Sequence, residues 1–123
     1  MHVVYHANYL VWFEIGRTDL LRAAGLTYER LEKECGRMLP VAEARCRYKN
    51  SARYDDQIEI ETRTELVRGP IVKFAYRVYR IEPEEQKTLL AEGETTHVVC
   101  DLAMKRASLP PEYAAVLKAM AAS

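Results

Sequence analysis

The sequence has no excess of charge of one sign and no long hydrophobic run. The 18 Lys and Arg residues balance the 18 Asp and Glu residues, so the formal net charge is zero. A chain without net charge has no overall electrostatic field that would attract nucleic acid or an anionic membrane surface. No apolar segment approaches the ~20 residues of a membrane span, and the first ten residues lack a signal-peptide pattern. We therefore expect a soluble, cytoplasmic protein with no nucleic-acid partner and no membrane span.

Cysteine is also scarce. Cys35, Cys46 and Cys100 are odd in number and show no C-x-x-C spacing. A disulfide framework and a zinc site are therefore not expected. Free cysteine behaves mostly as a small hydrophobic residue, so we expect buried thiols and no metal ligands.

The chain does contain enough apolar sequence for one core. Of its 123 residues, 49% are hydrophobic and 29% are charged. These proportions are typical of a globular protein that folds without disulfides or metals. With no repeat and no linker-like segment, residues 1–123 are predicted to form a single domain.

Two helices are predicted near the start of the chain. Asn8 can act as the N-cap of a helix that begins near Tyr9, and Gly25 can end it. Thr27 then caps a shorter helix that ends at Gly36. The buried face of the first helix is predicted from its helical spacing to include Tyr9, Phe13, Leu20 and Ala24.

Four strands follow, because the hydrophobic period changes from 3.6 to 2. They are predicted at residues 41–49, 58–66, 72–78 and 88–100. The first should bury one face, from Ala42 to Tyr48, and expose the other. The third should bury Val72, Phe74, Tyr76 and Val78.

The fourth strand has one face of mostly small residues. Gly93 at its centre would permit a helix to approach closely, so we expect the first helix to lie there. His97 falls on this inner face and is interpreted as a hydrogen-bonded core histidine rather than a catalytic one. The face consists of Leu89, Ala91, Gly93, Thr95, His97 and Val99.

After these strands, residues 105–109 are expected to extend the sheet. Pro110 and Pro111 are expected to start a C-terminal helix, one face of which carries Tyr113, Val116, Leu117 and Met120. A long helix followed by successive antiparallel strands indicates an α+β fold, with the helix on one face of a curved sheet.

The N-terminal segment is the most distinctive motif. It closely resembles the segment entering the central helix in the 4-hydroxybenzoyl-CoA thioesterase family, most of all its tol-pal-associated branch. Residues 51–56, residues 92–95 and Asp101 match further landmarks of that family. The segment reads Val3-Val4-Tyr5-His6-Ala7-Asn8-Tyr9-Leu10 and continues through Glu14 to Arg17.

The resemblance implies a hot-dog fold, in which an antiparallel sheet wraps around a long central helix. It also implies a homodimer or homotetramer with acyl-CoA sites at the subunit interface. The activity implied is hydrolysis of an acyl-CoA thioester by water, without a metal or other cofactor. The alternatives are an acyl-CoA-binding protein without catalysis and, ranked last, a hydratase or dehydratase.

Thioester hydrolysis needs a donor at the carbonyl oxygen and a carboxylate to activate water or attack. The resemblance places the donor at the backbone amide of His6, at the positive end of a helix. The family's aspartate would fall two residues ahead of Met1, and its first strand is also missing, so we expect a longer natural chain. Within the residues given, Glu14 is the substitute, although an ion pair with Arg17 is the favoured interpretation.

Further site candidates follow from the same resemblance. Tyr5 is grouped with His6 and Glu14 as catalytic. Aromatic residues, including Trp12, could line an acyl or pantetheine channel, and basic residues could bind the phosphates of CoA. The proposed substrate-binding residues are Asn8, Tyr9, Arg53, Tyr54, Arg68 and Lys73. No spacing supports a Cys-His nucleophile pair.

Overall fold

A computed structural model of the chain describes residues 6–52 and 56–121. It contains three helices and six strands within those ranges. A short 310 turn at Pro83–Glu85 separates the fourth strand from the fifth. The elements are α1 (His6–Ala23), α2 (Tyr28–Cys35), β1 (Arg37–Met38), β2 (Val41–Tyr48), β3 (Ile58–Arg68), β4 (Ile71–Ile81), β5 (Lys87–Val98), β6 (Cys100–Asp101) and α3 (Pro111–Ala121).

The main sheet has four antiparallel strands in the order β2-β5-β4-β3. β1 and β6 form a separate antiparallel pair. The long helix α1 packs on the inner face of the main sheet, and α3 packs against β3. The predicted α+β arrangement, with a C-terminal helix, is confirmed.

The Phe13 side chain of α1 can approach β5 closely because Gly93 has no side chain. A Cβ built on Gly93 would lie 2.6 Å from the Phe13 ring and would also clash with the carbonyl oxygen of Arg45. Phe13 stacks on Tyr76 of β4, with ring centroids 4.3 Å apart. Both aromatic residues are buried. The predicted approach of the first helix to Gly93 is therefore confirmed at Phe13, although the helix as a whole packs mainly against β3.

The start of α1 differs from the prediction. The helix begins at His6, so the expected start near Tyr9 is wrong, and Asn8 is the third helical residue rather than the N-cap. A capping residue marks a possible start, but packing of the apolar face provides most of the stability of a helix. Burial of Tyr9 and Phe13 holds the first turns in place, and neither Gly nor Pro interrupts them.

The remaining helix boundaries are as predicted. Gly25 has φ +80° just after α1, and Gly36 has φ +64° just after α2, conformations that glycine adopts without strain. Thr27 caps α2, since its hydroxyl oxygen accepts a hydrogen bond of 3.1 Å from the Arg30 amide.

β2 does not have the single solvated face that its alternation predicts. Val41 and Tyr48 are 45% and 43% exposed. Cys46 is half-buried, and every other residue of β2 is exposed. β2 is an edge strand that pairs with β5. Because α1 packs mainly against β3 at the opposite edge of the sheet, it leaves the inner side of β2 largely uncovered.

β5 contains a bulge that changes which leucine is buried. Val78 pairs with Ala91 but Tyr79 pairs with Leu89, so Leu90 is an extra residue on β5. Leu90 is fully buried and Leu89 is half-buried, so the placement of Leu89 on the inner face is wrong. A bulge reverses the alternation of a strand, and a simple period-2 pattern does not predict it.

The chain after β6 makes less sheet than expected. Of residues 105–109, one residue, Arg106, forms a bridge with Cys100, so the predicted sheet extension is limited to that pair. α3 then buries Tyr113 and Leu117, as predicted. The Tyr113 hydroxyl donates a 2.7 Å hydrogen bond to the Thr27 carbonyl oxygen, which ties α3 to the start of α2.

The cysteines are free thiols, with Cys100 buried and Cys35 and Cys46 half-buried. Among the described residues, no helix is long and apolar enough to cross a membrane.

Candidate functional site

The first turn of α1 is the start of the candidate site. His6 is the first helical residue. The leading N–H groups of a helix have no acceptor within it, and the helix dipole makes this end positive. The backbone at His6 therefore has the character required of an oxyanion donor. The side chains of His6 and Asn8, and the whole of Tyr5, lie outside the described residues.

Three aromatic rings lie next to this turn and form the aromatic cluster of Tyr9, Trp12 and Tyr48. The Tyr9 ring is 5.0 Å from Trp12 and 5.1 Å from Tyr48, edge to face in both cases. Such pairs stabilise beyond the area that they bury. Tyr9 is buried, whereas Tyr48 is 43% exposed on the edge strand. The cluster thus joins the core to the surface beside the helix start.

The Tyr9 hydroxyl is held by the loop after β2. Burial raises the pKa of Tyr9, the Cys46 thiol raises it further, and a hydrogen bond from the backbone of Ala52 lowers it. Ala52 is itself buried. Residues 53–55 lie outside the described part, and with them the candidates Arg53 and Tyr54.

Bonds to the β5 bulge fix the beginning of this loop. The amides of Lys49 and Asn50 both donate to the Leu90 carbonyl oxygen, at 2.8 and 3.2 Å. The Asn50 side chain donates to the Leu89 carbonyl oxygen at 2.8 Å. The extra residue on β5 therefore supplies the acceptor that turns the chain towards Ala52.

Glu14 and Arg17 do not form the expected ion pair in the part of the chain that the structure describes. Glu14 is exposed. Arg17 lies near Tyr28 and Tyr76, and its charge lowers their pKa values against the effect of burial. Burial dominates at Tyr28, whose pKa is raised to about 12. The spacing permits the pair, but Arg17 follows buried Phe13 by one turn and faces the tyrosines instead.

Glu14 is also distant from the helix start. It lies eight positions after His6, which corresponds to ~12 Å along the axis of an α-helix. A glutamate side chain cannot span that distance to a carbonyl bound at the amide of His6 in the same chain.

The basic candidates Arg68 and Lys73 lie at the other end of the sheet. Arg68 is the last residue of β3, and Lys73 is near the beginning of β4. Arg80 lies at the end of β4 nearest Tyr9. Lys73 is seven positions earlier on the same strand, which corresponds to ~23 Å of extended chain. Within one chain, the structure does not bring Arg68 or Lys73 to the start of α1.

His97 is a core residue, as interpreted from the sequence. It is fully buried; one ring nitrogen contacts the Leu39 carbonyl oxygen at 2.9 Å and the other the Thr95 hydroxyl at 2.8 Å. The Thr95 hydroxyl also bonds the Tyr76 hydroxyl at 2.5 Å. Burial lowers the pKa of His97 to about 4, and the Arg17 charge acts in the same direction. A neutral, fully bonded imidazole is not available as a general base.

Two residues near Tyr9 are not among the candidates expected from the sequence: Tyr48, which contacts the Tyr9 ring, and Arg80, which donates to the Ser51 carbonyl oxygen next to Ala52. The sequence interpretation places Tyr48 on a buried strand face and not in the site. Arg80 carries a recognisable signal, because it follows buried Val78 by two residues and so continues the inward alternation of β4 with a charge. Among the described residues, no three His, Cys, Asp or Glu side chains are grouped to hold a metal ion.

The chain matches the family model described as the thioesterase-like superfamily over residues 1–117. It is 35% identical to the acyl-CoA thioester hydrolase YbgC of Escherichia coli O6:H1 over 117 residues, which cover 94% of this chain and 84% of that protein.

Two solved structures are similar to the chain. Hypothetical protein TT1821 from Thermus thermophilus has a TM-score of 0.85 at 33% identity, covering 98% of this chain and 88% of that one. The 4-hydroxybenzoyl CoA thioesterase from Pseudomonas sp. strain CBS-3 has a TM-score of 0.83 at 21% identity, covering 94% and 86%. The latter likeness concerns the fold, and the predicted hot-dog fold is confirmed.

Proposed function

Because the chain belongs to the thioesterase-like superfamily, we propose that it hydrolyses an acyl-CoA thioester to a free acid and CoA. The observation that carries the proposal is the position of the α1 start, whose leading amides lie beside the aromatic cluster. The name of the similar Escherichia coli protein, an acyl-CoA thioester hydrolase, supports this substrate class.

The backbone amide of His6 polarises the thioester carbonyl. Water adds to the carbonyl carbon, negative charge develops on the oxygen, and the C–S bond then breaks to release CoA as the thiolate. A preorganised N–H at the oxygen stabilises this charge. Since the donor belongs to the backbone, the imidazole of His6 is not required, and Tyr5 lies next to the donor in sequence.

Glu14 is the carboxylate that activates the water, acting from a second copy of the chain. The ~12 Å between Glu14 and the amide of His6 excludes a shared carbonyl within one chain. Exposure of Glu14 on α1 leaves it accessible to a partner. A site built from two chains therefore satisfies both chemical requirements.

The substrate is bound along the same surface. Asn8 and Tyr9 lie within the first turns of α1, and Arg53 and Tyr54 follow Ala52, which holds the Tyr9 hydroxyl. Arg68 and Lys73 bind the phosphates of CoA from the far end of the sheet, a role that suits an extended ligand and positively charged side chains.

Two copies pair through the exposed edge strand β2, and the pairs can assemble into tetramers. An uncovered edge presents unpaired backbone groups, which another strand can satisfy. Exposure of Val41 and Tyr48 supports this edge as the contact. The proposed location is the cytoplasm, where acyl-CoA is available as substrate.

The experiment that tests the function is an assay of thiol release from aliphatic and aromatic acyl-CoA compounds, together with calorimetric binding of the same compounds. Catalysis predicts CoA release that is proportional to enzyme concentration. The alternative, an acyl-CoA-binding protein, predicts saturable binding without release. Binding of every compound tested without turnover would reject hydrolysis.

A further inference from the structure

Arg80 lies on the inner face of β4, where every earlier residue of the alternation is apolar or aromatic. Val72, Phe74, Tyr76 and Val78 on this face are buried. β4 has no extra residue of its own, and Arg80 pairs with Ile58 of β3 and Thr88 of β5. The Arg80 side chain is 25% exposed, so it is largely covered at the end of the sheet.

The Arg80 guanidinium contacts the loop on both sides of residues 53–55. One terminal nitrogen donates to the Ser51 carbonyl oxygen at 3.0 Å and lies 3.6 Å from the Asp56 carboxylate. Its Nε donates to Glu82 at 2.5 Å. Glu82 also accepts from the Thr88 hydroxyl at 3.1 Å, so the carboxylate that holds Arg80 is itself fixed to β5.

The electrostatics agree with this geometry. The bonds from Arg80 and then from Thr88 lower the pKa of Glu82, so its carboxylate is ionised at neutral pH. The Asp56 side chain is 17% exposed, which limits screening by water of its attraction to Arg80.

Ser51 directly precedes Ala52, and the backbone of Ala52 bonds the Tyr9 hydroxyl. Tyr9 in turn contacts Trp12 and Tyr48 in the aromatic cluster. Contacts thus lead without a gap from Arg80 through the loop to the first turns of α1, where the proposed oxyanion donor lies.

We propose that Arg80 is a positioning residue for the thioesterase site, which holds residues 51, 52 and 56 against Tyr9 and thereby fixes the start of α1. The inference rests on the proposed function for its kinetic consequence but not for its structural one. Arg80 touches neither the carbonyl nor the amide of His6, and it acts through Ser51, Ala52 and Tyr9.

The planar, forked guanidinium group explains why position 80 is an arginine rather than a lysine. One guanidinium reaches Glu82 with Nε while a terminal nitrogen reaches Ser51 and Asp56. Lysine carries a single point charge on a flexible stem and cannot satisfy these partners in the same fixed geometry. Arg80→Lys should therefore restore only part of what Arg80→Gln removes.

The test compares Arg80→Gln with Arg77→Gln in the full chain. Arg77 is also on β4, but its ion pairs with Glu61 and Glu92 are loose, at 4.0 and 3.7 Å. Trp12 is the single tryptophan of the chain and reports on Tyr9 directly. Arg80→Gln should red-shift Trp12 emission and increase its quenching by acrylamide, whereas Arg77→Gln should change neither.

The kinetic readout uses the same variants on the best acyl-CoA substrate of the wild type. Because misplacement of a catalytic group by a distant change can cost up to ~100-fold, Arg80→Gln should lower kcat by ~10-fold or more with less change in KM. Tyr9→Phe, which removes the hydroxyl held by Ala52, should lower kcat similarly, and the double variant should be no worse than either single one.

Equal Trp12 emission and equal kcat in Arg80→Gln and Arg77→Gln would overturn the inference. Additive losses of kcat in the double variant would also overturn it, since they would show that Arg80 and Tyr9 affect catalysis independently. If the wild type hydrolyses no acyl-CoA, the proposed function fails by itself, and the Trp12 comparison alone decides whether Arg80 positions Tyr9.

Discussion

Phe13 of α1 occupies the space directly over Gly93 of β5, where a Cβ would lie 2.6 Å from its ring. Gly93→Ala should therefore destabilise the protein, because neither the Phe13 ring nor the Arg45 carbonyl can move aside without disturbing the sheet. We expect a loss of about 1–3 kcal/mol, as for overpacked cores, measured by urea unfolding.

Thr96→Ala is the matched control for this change. Thr96 is three residues further along β5 and is half-buried rather than buried. It should cost less than half as much free energy of unfolding. If Gly93→Ala were as stable as the wild type, the close packing of α1 on β5 would be contradicted.

The stability of the protein should fall with pH because of His97. Its pKa is lowered from 6.5 to about 4 in the folded chain, so the unfolded chain binds a proton more readily as the pH falls below 6.5. At 1.36 kcal/mol per pKa unit, this group alone should remove about 2 kcal/mol between pH 8 and pH 5.

The measurement is the free energy of unfolding at both pH values for the wild type and for His97→Asn. The variant has no imidazole at this position, so its loss between pH 8 and pH 5 should be smaller by about that amount, whatever its stability at pH 8. An equal loss in both proteins would show that His97 does not titrate in this range.

How much the sequence could predict depends on whether a feature is local. Gly25, Thr27 and Gly36 act on the residues beside them, and their roles at the helix ends are predicted correctly. The bulge at Leu90 and the inward turn of Arg17 towards Tyr28 depend on the packing of distant elements, which periodicity does not contain.

The same distinction between local features and features set by distant packing applies to the candidate site. The motif indicates the helix start and Tyr9, because the resemblance covers contiguous residues. Tyr48 on β2 contacts the Tyr9 ring, whereas Arg80, 32 positions further along the chain near the end of β4, contacts the loop that contains Ala52. Their positions near Tyr9 arise from sheet order and from the loop that contains Ala52. The alternation of β4 marks Arg80 as an unusual charge on the inner face, but it does not predict what Arg80 contacts.

Glu14→Gln should lower kcat by ~100-fold or more, as expected when a general base is removed. Asp19→Asn is the control, since Asp19 is an exposed carboxylate on the same helix that pairs with Arg22 at 3.3 Å. It should change kcat by less than ~3-fold, because its charge is screened by solvent. Unchanged activity in Glu14→Gln would exclude Glu14 as the base.

A mixing experiment tests whether the site uses two chains. Glu14→Gln is combined with His6→Pro, which removes the proposed amide donor, and the two proteins are unfolded and refolded together. If Glu14 acts across the interface, half of the sites in a mixed dimer contain both groups and activity returns. No recovery in demonstrably mixed dimers would contradict the two-chain arrangement.

In the proposed mechanism, the backbone amide of His6, not its imidazole, polarises the thioester. His6→Pro removes the N–H at the first helical position, where proline is well tolerated, and His6→Ala removes only the side chain. The most direct measurement is kcat of both variants on the best acyl-CoA substrate, with helix content checked by circular dichroism. We expect a loss of ~100-fold to ~1000-fold for His6→Pro and of less than ~3-fold for His6→Ala. Full activity in His6→Pro, or an equally large loss in His6→Ala, would show that the amide of His6 is not the donor.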